Sequence, residues 1–336
     1  MIRYPDRALR TIGVTAPSSG VSEELHHLLE GATAQLEKQG FAVKTTANAW
    51  TQKEAKSSPA AVRAKELISI WRDSKVDAII PPWGGELLLE ILEHLDFRKL
   101  TPKWLLGYSD ISLLSLAVTL NTGIATAHGT NIIDLRGSET DPTTACWIDV
   151  LSSTKTSVIK QVSSEKYQKS WDHDKPTPAV FNLTEPTVWK TVSGNAERLE
   201  GRLLGGCIDV IRHLVGTPYG NVEAFRKKSI PDEPVIWFLE NCEMNTADLK
   251  RSLLQMKYAG WFDNCSGIVF GRSEANEPVQ GYTAEMVYQE LAEQLKVPIV
   301  YDADIGHQPP QVILVNGAHA LFHVDDGKGR VVQEFR

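Results

Sequence analysis

The chain has 336 residues, of which 42% are apolar and 23% charged, a composition that excludes disorder over most of its length and suits two packed domains. Its net charge of −7 argues against a nucleic-acid polymer or an anionic membrane as partner. The four cysteines form no C-x-x-C pair, which indicates a reducing compartment and no zinc-site spacing. The sequence has neither a secretory h-region nor a run of about 18 apolar residues, and therefore predicts a cytoplasmic protein without a membrane span.

The first 150 residues alternate short apolar runs with helical patterns. Predicted strands cover residues 11–16, 41–43, 78–80 and 104–106. Predicted helices follow residues 22 and 59 and cover 87–95 and 111–120. This alternation predicts an α/β fold, with a parallel sheet covered by helices on both faces and ligands bound beyond the carboxyl ends of the strands.

The regular pattern stops after residue 151 and resumes near residue 199. Between them, polar and proline-containing stretches predict a linker or an ordered loop lying over the site. Strands and helices then alternate again, with an apolar strand at 235–239 and a helix at 245–259. We therefore expect an N-terminal domain over 1–155, a linker or active-site loop over 156–198, and a second, smaller mixed α/β domain over 199–336.

The first candidate for chemistry is the sequence Gly-Tyr-Ser-Asp-Ile-Ser at 107–112. An apolar strand leads into it and a helix starts near Asp110, so Ser109 falls on a sharp strand-to-helix turn, as a nucleophile would. The backbone N–H of Asp110, at the positive end of that helix, then faces a developing oxyanion. In the alternative interpretation, Ser109 or Asp110 only caps the helix, since the motif lacks the second glycine of G-x-S-x-G.

A pair of glycines, Gly84 and Gly85, follows the preceding strand and comes just before the next helix. Glycines let backbone N–H groups approach a ligand closely, so Gly85 is a candidate for the second oxyanion donor. Taken alone, such a pair is more often a tight turn. It gains weight because its strand is adjacent in sequence to the strand that leads to Ser109.

A serine nucleophile needs a base, and His307 is the favoured one among nine histidines. It follows a predicted strand and a glycine, and two prolines after it hold its loop rigid. His128, at the end of a short strand, is a supporting residue near the substrate. The sequence Asp302-Ala-Asp304 before His307 offers a metal site as an alternative, although nothing nearby completes a ligand set.

The base in turn needs a carboxylate to orient it. Glu240 directly follows the five apolar residues 235–239 and therefore lies at the carboxyl end of a strand. Glu243 is a weaker competitor for the same role. A lone glutamate in a solvent-facing loop is the alternative for either residue.

Together these motifs resemble the serine LD-carboxypeptidases and the microcin-C immunity peptidases of the MccF type, over nearly the whole chain. The matching pieces, in order, are Gly84-Gly85, Gly-Tyr-Ser-Asp at 107–110, His128-Gly129, Gly-Arg-Leu-Leu-Gly-Gly at 201–206, Leu239-Glu240 before a helix, and Gly306-His307. The resemblance implies a triad of Ser109, Glu240 and His307. It also implies an oxyanion hole made by the N–H groups of Gly85 and Asp110.

The segment 181–190 is similar to the loop of the immunity branch whose tryptophan stacks on the nucleotide base of the substrate. This similarity predicts a substrate-stacking role for Trp189 and places Gly84 and His128 at the pocket wall. The alternative is that Trp189 is a core residue. Glu86-Leu87 and Thr130 depart from the family pattern, and both departures bear on the identity of the substrate.

The resemblance implies amide hydrolysis through an acyl-enzyme, without a metal or an organic cofactor. The expected substrate is a peptidyl- or aminoacyl-nucleotide of the microcin-C type, or alternatively a murein tetrapeptide, and the expected assembly is a homodimer. One rival is a non-catalytic ligand-binding protein on the same fold. A glutamine-amidotransferase-like enzyme is a further rival, but it would have a cysteine at the position of Ser109.

Overall fold

The computed structural model describes residues 1–170 and 176–336, and in them the strands form two large sheets and one short pair. The strands are β1 Thr11–Val14, β2 Ala42–Thr45, β3 Ala78–Ile79, β4 Trp104–Gly107, β5 Thr126–His128, β6 Val158–Val162, β7 Lys166–Tyr167, β8 Glu185–Pro186, β9 Lys190–Thr191, β10 Glu197–Cys207, β11 Val235–Glu240, β12 Cys265–Gly271, β13 Ile299–Ala303, β14 Leu314–Asn316, β15 His319–Asp325 and β16 Lys328–Glu334.

The α-helices are α1 His26–Lys38, α2 Ala60–Arg72, α3 Ile111–Thr122, α4 Pro142–Leu151, α5 Ile208–Ile211, α6 Val222–Ser229, α7 Thr246–Tyr258 and α8 Ala284–Leu295. Shorter 3-10 helices cover Glu23–Leu25, Ala47–Trp50, Leu88–His94, Phe97–Lys99, Ile132–Leu135 and Arg212–Leu214. The helix predicted over 87–95 is therefore a 3-10 helix over Leu88–His94. Each helix in the described ranges is too short or too polar to cross a bilayer.

The first sheet has the strand order β14-β5-β4-β3-β1-β2, and its first five strands in sequence run parallel. This arrangement confirms the α/β fold predicted from the alternating pattern. Helix α3 is mostly apolar and is buried on every side, because it packs against β4 and β5 of this sheet and also against β10 of the other. Gly123, with φ of 72°, ends the helix in the left-handed conformation.

The second sheet has the order β6-β16-β15-β10-β11-β12-β13-β9. Its centre, from β10 to β13, is parallel, and antiparallel strands complete it on both sides. The segment expected as a linker or loop contributes β6 and β9 to this sheet, and in β6 exposed residues alternate with more buried ones such as Gln161. Conversely, β14, from the C-terminal part of the chain, joins the first sheet beside β5.

The carboxyl ends of β4, β11 and β13 place the candidate residues. Ser109 comes two residues after β4, Glu240 is the last residue of β11, and His307 comes four residues after β13. The two sheets bring these three ends together, since α3 lies between β4 and the parallel centre of the second sheet. The site therefore takes residues from both sheets.

Candidate active site

Ser109 occupies a strained turn between β4 and α3. Its φ is 61°, in the left-handed region that non-glycine residues rarely adopt and that costs on the order of 1–3 kcal/mol. Asp110 precedes the first residue of the helix without making a side-chain capping bond, so the capping interpretation does not hold. The surrounding fold retains the strained turn, which leaves the Ser109 side chain on the wall of a cavity.

The Gly84-Gly85 loop lies directly against this serine. A Cβ on Gly84 would come 2.6 Å from the Ser109 Cβ and 2.9 Å from the Asp110 nitrogen. Gly85 has φ of 140°, and a Cβ there would collide with Ser19. The N–H of Ser19 donates to the Gly84 carbonyl at 3.1 Å, which fixes the orientation of the peptide between the two glycines. Only glycine fits at either position.

The Asp110 carboxylate connects the serine turn to two neighbouring loops, an arrangement that the sequence did not reveal. One of its oxygens accepts a hydrogen bond from the Ser18 hydroxyl and another from the Leu88 N–H at 2.9 Å. Burial raises the pKa of the Asp110 carboxyl to about 6, although these two hydrogen bonds favour the charged form. Asp110 therefore holds the Gly84-Gly85 loop against the turn that carries Ser109.

His307 and Glu240 form a hydrogen-bonded pair, with 2.8 Å between Nδ1 of the imidazole and Oε2 of the carboxylate. Burial alone would lower the pKa of His307, but the charge of Glu240 and hydrogen bonds with Cys242 and Glu240 raise it well above its ordinary value. Burial would raise the pKa of Glu240, yet the charge of His307 holds it below its ordinary value. Gly306, at φ of 99°, leaves room for the carboxylate, since a Cβ there would lie 2.5 Å from Oε2. Tyr108 supports the ring edge-on at 5.0 Å.

A buried network holds the loop that carries His307. Asp304, with no solvent exposure, binds Nη1 of Arg272 at 2.6 Å and accepts bonds from both the N–H and the hydroxyl of Ser164. Arg272 in turn donates to the carbonyl of Gln308 at 3.0 Å. The other acid of the Asp-Ala-Asp sequence, Asp302, pairs with Lys190. Both carboxylates are therefore engaged in separate ion pairs, which leaves no support for the alternative metal site.

The structure corrects the role expected of Trp189. Its side chain is 1% exposed and lies in an apolar cluster with Leu199 and Phe322. Its indole N–H donates to Asp304 at 2.9 Å, and Gly329 packs against its ring. An indole enclosed in this way cannot stack on a substrate base. Trp189 is a core residue, and the resemblance of segment 181–190 says nothing about base recognition through it.

His128 is likewise not a pocket residue. It is completely buried, with Nδ1 3.2 Å from the Ser112 hydroxyl and its ring against Phe238. Burial lowers its pKa to about 4, so the ring is neutral at physiological pH. The sequence located the end of β5 correctly, but the burial of the last side chain depends on α3 and β11, which supply Ser112 and Phe238.

Two adjoining cavities meet at Ser109 and His307, and both residues line each of them. The larger cavity, of about 380 Å³, is also lined by Gly84, Gly85, Trp83, Tyr108, Asp134 and Arg136. The smaller, of about 290 Å³, continues toward Cys207, Asp209 and Cys242. Sequence reasoning missed Arg136 and these last three residues, because their distance from the serine depends on how strands from the two sheets are arranged.

This arrangement has the parts that acyl transfer requires: a partly exposed hydroxyl on a strained turn, a carboxylate-oriented imidazole on the same cavity, and a glycine loop against the hydroxyl. Glu243, the competing acid, is exposed at the edge of the smaller cavity, whereas Glu240 is buried beneath the imidazole. The geometry therefore favours Glu240 as the residue that orients His307.

Two family models match the chain: the LD-carboxypeptidase N-terminal domain over residues 12–129 and the LD-carboxypeptidase C-terminal domain over residues 200–322. A Bacillus subtilis protein named "Probable murein peptide carboxypeptidase" is 26% identical, covering 96% of this chain and 92% of its own. The crystal structure of an MccF-like protein from Bacillus anthracis covers 99% of both chains with a TM-score of 0.81 and 23% identity.

The microcin C7 self-immunity protein MccF in complex with aspartyl sulfamoyl adenosine has a TM-score of 0.79 and 21% identity, over 99% of this chain and 98% of its own. Both structural matches show the same α/β fold with two sheets. The matched family models together span most of the chain and include Ser109, Glu240 and His307. The chain therefore belongs to the LD-carboxypeptidase family and is a serine peptidase.

Proposed function

We propose that the protein hydrolyses an amide bond through an acyl-enzyme on Ser109. The observation that carries this proposal is the juxtaposition of Ser109, at a φ of 61°, with a His307–Glu240 pair joined at 2.8 Å on the same cavity wall. His307 takes the hydroxyl proton as Ser109 attacks the carbonyl carbon, and then gives that proton to the leaving amine. Water releases the acyl group with His307 again as the base.

The oxyanion is held by the backbone N–H groups of Gly85 and Asp110. The Gly84 carbonyl accepts a hydrogen bond from Ser19, and in a trans peptide the following N–H points the opposite way. The N–H of Gly85 is therefore directed away from Ser19. The Asp110 nitrogen lies beside Gly84, at the N-terminus of α3, where the helix dipole favours negative charge.

For the substrate, we propose a peptidyl- or aminoacyl-nucleotide of the microcin-C type. This choice is supported by the overall match to MccF structures, one of which holds aspartyl sulfamoyl adenosine. A murein tetrapeptide is the second candidate, favoured by the 26% identity with the Bacillus subtilis relative over 96% of the chain. In either case Arg136 on the cavity wall offers a guanidinium to a substrate carboxylate.

The deciding experiment incubates the full chain with aspartyl sulfamoyl adenosine and with a murein tetrapeptide, and follows release of free amino acid by mass spectrometry. Cleavage of the nucleotide and not of the tetrapeptide supports the first candidate, and the reverse result supports the second. The Ser109→Ala variant serves as control and should release nothing above background. Equal release by this variant, or cleavage of neither compound, would count against the proposal.

We extend the proposal to the domain organisation, with residues 1–155 carrying the nucleophile and residues 199–336 carrying Glu240 and His307. We also propose that the protein is a cytoplasmic homodimer, on the strength of the family resemblance. Light scattering on the purified chain at several concentrations tests the dimer. A mass equal to that of one 37.2 kDa chain throughout would contradict it.

A further inference from the structure

Two cysteines that are far apart in the sequence meet beside the candidate active site. Cys207 is the last residue of β10, and Cys242 comes two residues after β11, the parallel neighbour of β10. Asp209 follows Cys207 by two residues. One ligand atom from each of these three residues lies within 4.8 Å of the other two, and no other set of three or more such side chains in the described ranges is as closely grouped.

The separations suit a tetrahedral thiophilic cation. Around Zn²⁺, bonds of about 2.3 Å to sulfur and about 2.0 Å to oxygen place two sulfurs roughly 3.8 Å apart and a sulfur and an oxygen roughly 3.5 Å apart. The sulfur of Cys207 lies 3.4 Å from Oδ2 of Asp209. Two thiolates and a carboxylate also form a donor set that binds thiophilic cations in preference to Mg²⁺ or Ca²⁺.

The three donors are held in place before any ion binds. The Asp209 carboxylate accepts the backbone N–H of Cys242 at 2.9 Å and that of Glu243 at 3.0 Å, which fixes the loop after β11. It also accepts the thiol proton of Cys207. When a metal displaces that thiol proton to solvent, the carboxylate oxygen regains a free lone pair. Little rearrangement is therefore needed.

An ion can reach this cluster from solvent. The three side chains line the cavity of about 290 Å³ that also contains Ser109 and His307. That volume holds a cation with a water molecule as its fourth ligand. An ion bound there occupies space beside both reacting side chains. It also engages the sulfur of Cys242, which hydrogen-bonds His307.

We propose that Cys207, Asp209 and Cys242 form a binding site for a thiophilic divalent cation of the Zn²⁺ class, and that occupancy of this site inhibits the enzyme. On binding, each thiol transfers its proton to solvent and the sulfurs become thiolate ligands. Binding itself is independent of the proposed hydrolysis, whereas the inhibition rests on it.

In the test, a phosphine keeps the cysteines of the full chain reduced while Cd²⁺ is added in steps. The ultraviolet thiolate-to-cadmium charge-transfer band is recorded at each step. We expect one Cd²⁺ per chain, with release of two protons in weak buffer. Cys242→Ser, at a partly exposed position, should weaken binding roughly tenfold or more and reduce the band, and the Cys207→Ser/Cys242→Ser double variant should abolish it. Cys146→Ser, a variant of another partly exposed cysteine, should bind like the wild type.

An unchanged band in the double variant, or no stoichiometric binding by the wild-type chain, would overturn the site. If Cys207→Ser proves unstable, Cys242→Ser alone decides, because its side chain lies in a loop. In a second arm, Zn²⁺ should inhibit amide hydrolysis reversibly, with a chelator restoring activity, and Cys242→Ser should require a higher Zn²⁺ concentration. A chain that binds Cd²⁺ but hydrolyses neither substrate would contradict the proposed function and leave the metal site standing.

Discussion

The charge on His307 depends on the carboxylate beside it. Glu240 is completely buried and stabilises the protonated imidazole, so the pKa of His307 lies well above the ordinary value of about 6.5. A general base must be neutral to accept a proton. The fraction of protein molecules with a neutral His307, which can activate Ser109, therefore rises with pH. The acidic limb of the pH profile of kcat/KM should lie above pH 6.5.

Replacing Glu240 by glutamine preserves the shape of the side chain and removes its charge. Burial then dominates, and the pKa of His307 falls, so the acidic limb of kcat/KM should move to lower pH. The maximal rate should fall by roughly 10³–10⁴, because the imidazolium of the transition state loses its partner. Rates measured from pH 5 to 9 provide the readout. Glu243→Gln, the control, should change neither quantity greatly, and the reverse order would identify Glu243 as the orienting acid.

At the scale of elements, the strand-to-helix turn and the Gly84-Gly85 loop act as one unit. The two backbone segments approach so closely that the Cβ positions of Gly84 and Ser109 would be 2.6 Å apart. Asp110 binds both the loop after β1, through Ser18, and the start of the 3-10 helix Leu88–His94. The position of the serine hydroxyl therefore depends on loops from three strands.

Gly84→Ala should reduce kcat by roughly a hundredfold or more, because the added methyl group displaces the serine or its oxyanion donors by about an ångström. The melting temperature should fall as well, because the methyl group would lie 2.6 Å from the Ser109 Cβ, but the loss of rate should exceed what reduced folding explains at the assay temperature. Steady-state kinetics and thermal unfolding measured together provide the check. Gly31→Ala, within helix α1, is the matched control and should retain full activity, because a Cβ on Gly31 would lie 3.9 Å from its nearest neighbouring atom. Comparable losses in both variants would contradict the close approach.

The positions of the candidate residues at the ends of strands could largely be predicted from the sequence. Ser109 and Glu240 each come at or just after an apolar strand, and the carboxyl ends of strands in α/β folds collect functional groups. The burial of Trp189 and of His128 could not be predicted, because it depends on which elements cover these side chains in the folded protein. Cys207 and Cys242 gave no metal-binding pattern for the same reason: only the pairing of β10 with β11 brings them together.

At the scale of the whole molecule, the site depends on cooperation between the two sheets. Strand β14, near the end of the chain, completes the first sheet, while β6 and β9 belong to the second. The segment between residues 156 and 198 therefore contributes to the core. Trp189 illustrates this, since it joins β9 to the Asp304 network that holds the loop of His307.

Trp189→Ala should lower the free energy of unfolding by about 3–5 kcal/mol, because it leaves a large cavity and removes a hydrogen bond to Asp304. Thermal and denaturant unfolding provide the measurement. Hydrolysis of nucleotide and peptide substrates should decline in parallel. Trp50→Ala, at a partly exposed position, should cost less stability. Unchanged stability with a loss confined to nucleotide substrates would show that Trp189 contacts the base after all.

Labelling with a fluorophosphonate, followed by peptide mass spectrometry, tests the role of Ser109 most directly, because the reagent reacts preferentially with an activated serine hydroxyl. We expect one adduct per chain, located on Ser109, and strongly slowed labelling in Glu240→Gln. Ser109→Ala should take up no label and should lose activity by roughly 10⁴ or more while keeping the wild-type melting temperature. An adduct on another residue, or a Ser109→Ala variant with about a tenth of wild-type activity, would contradict the assignment of Ser109 as the nucleophile.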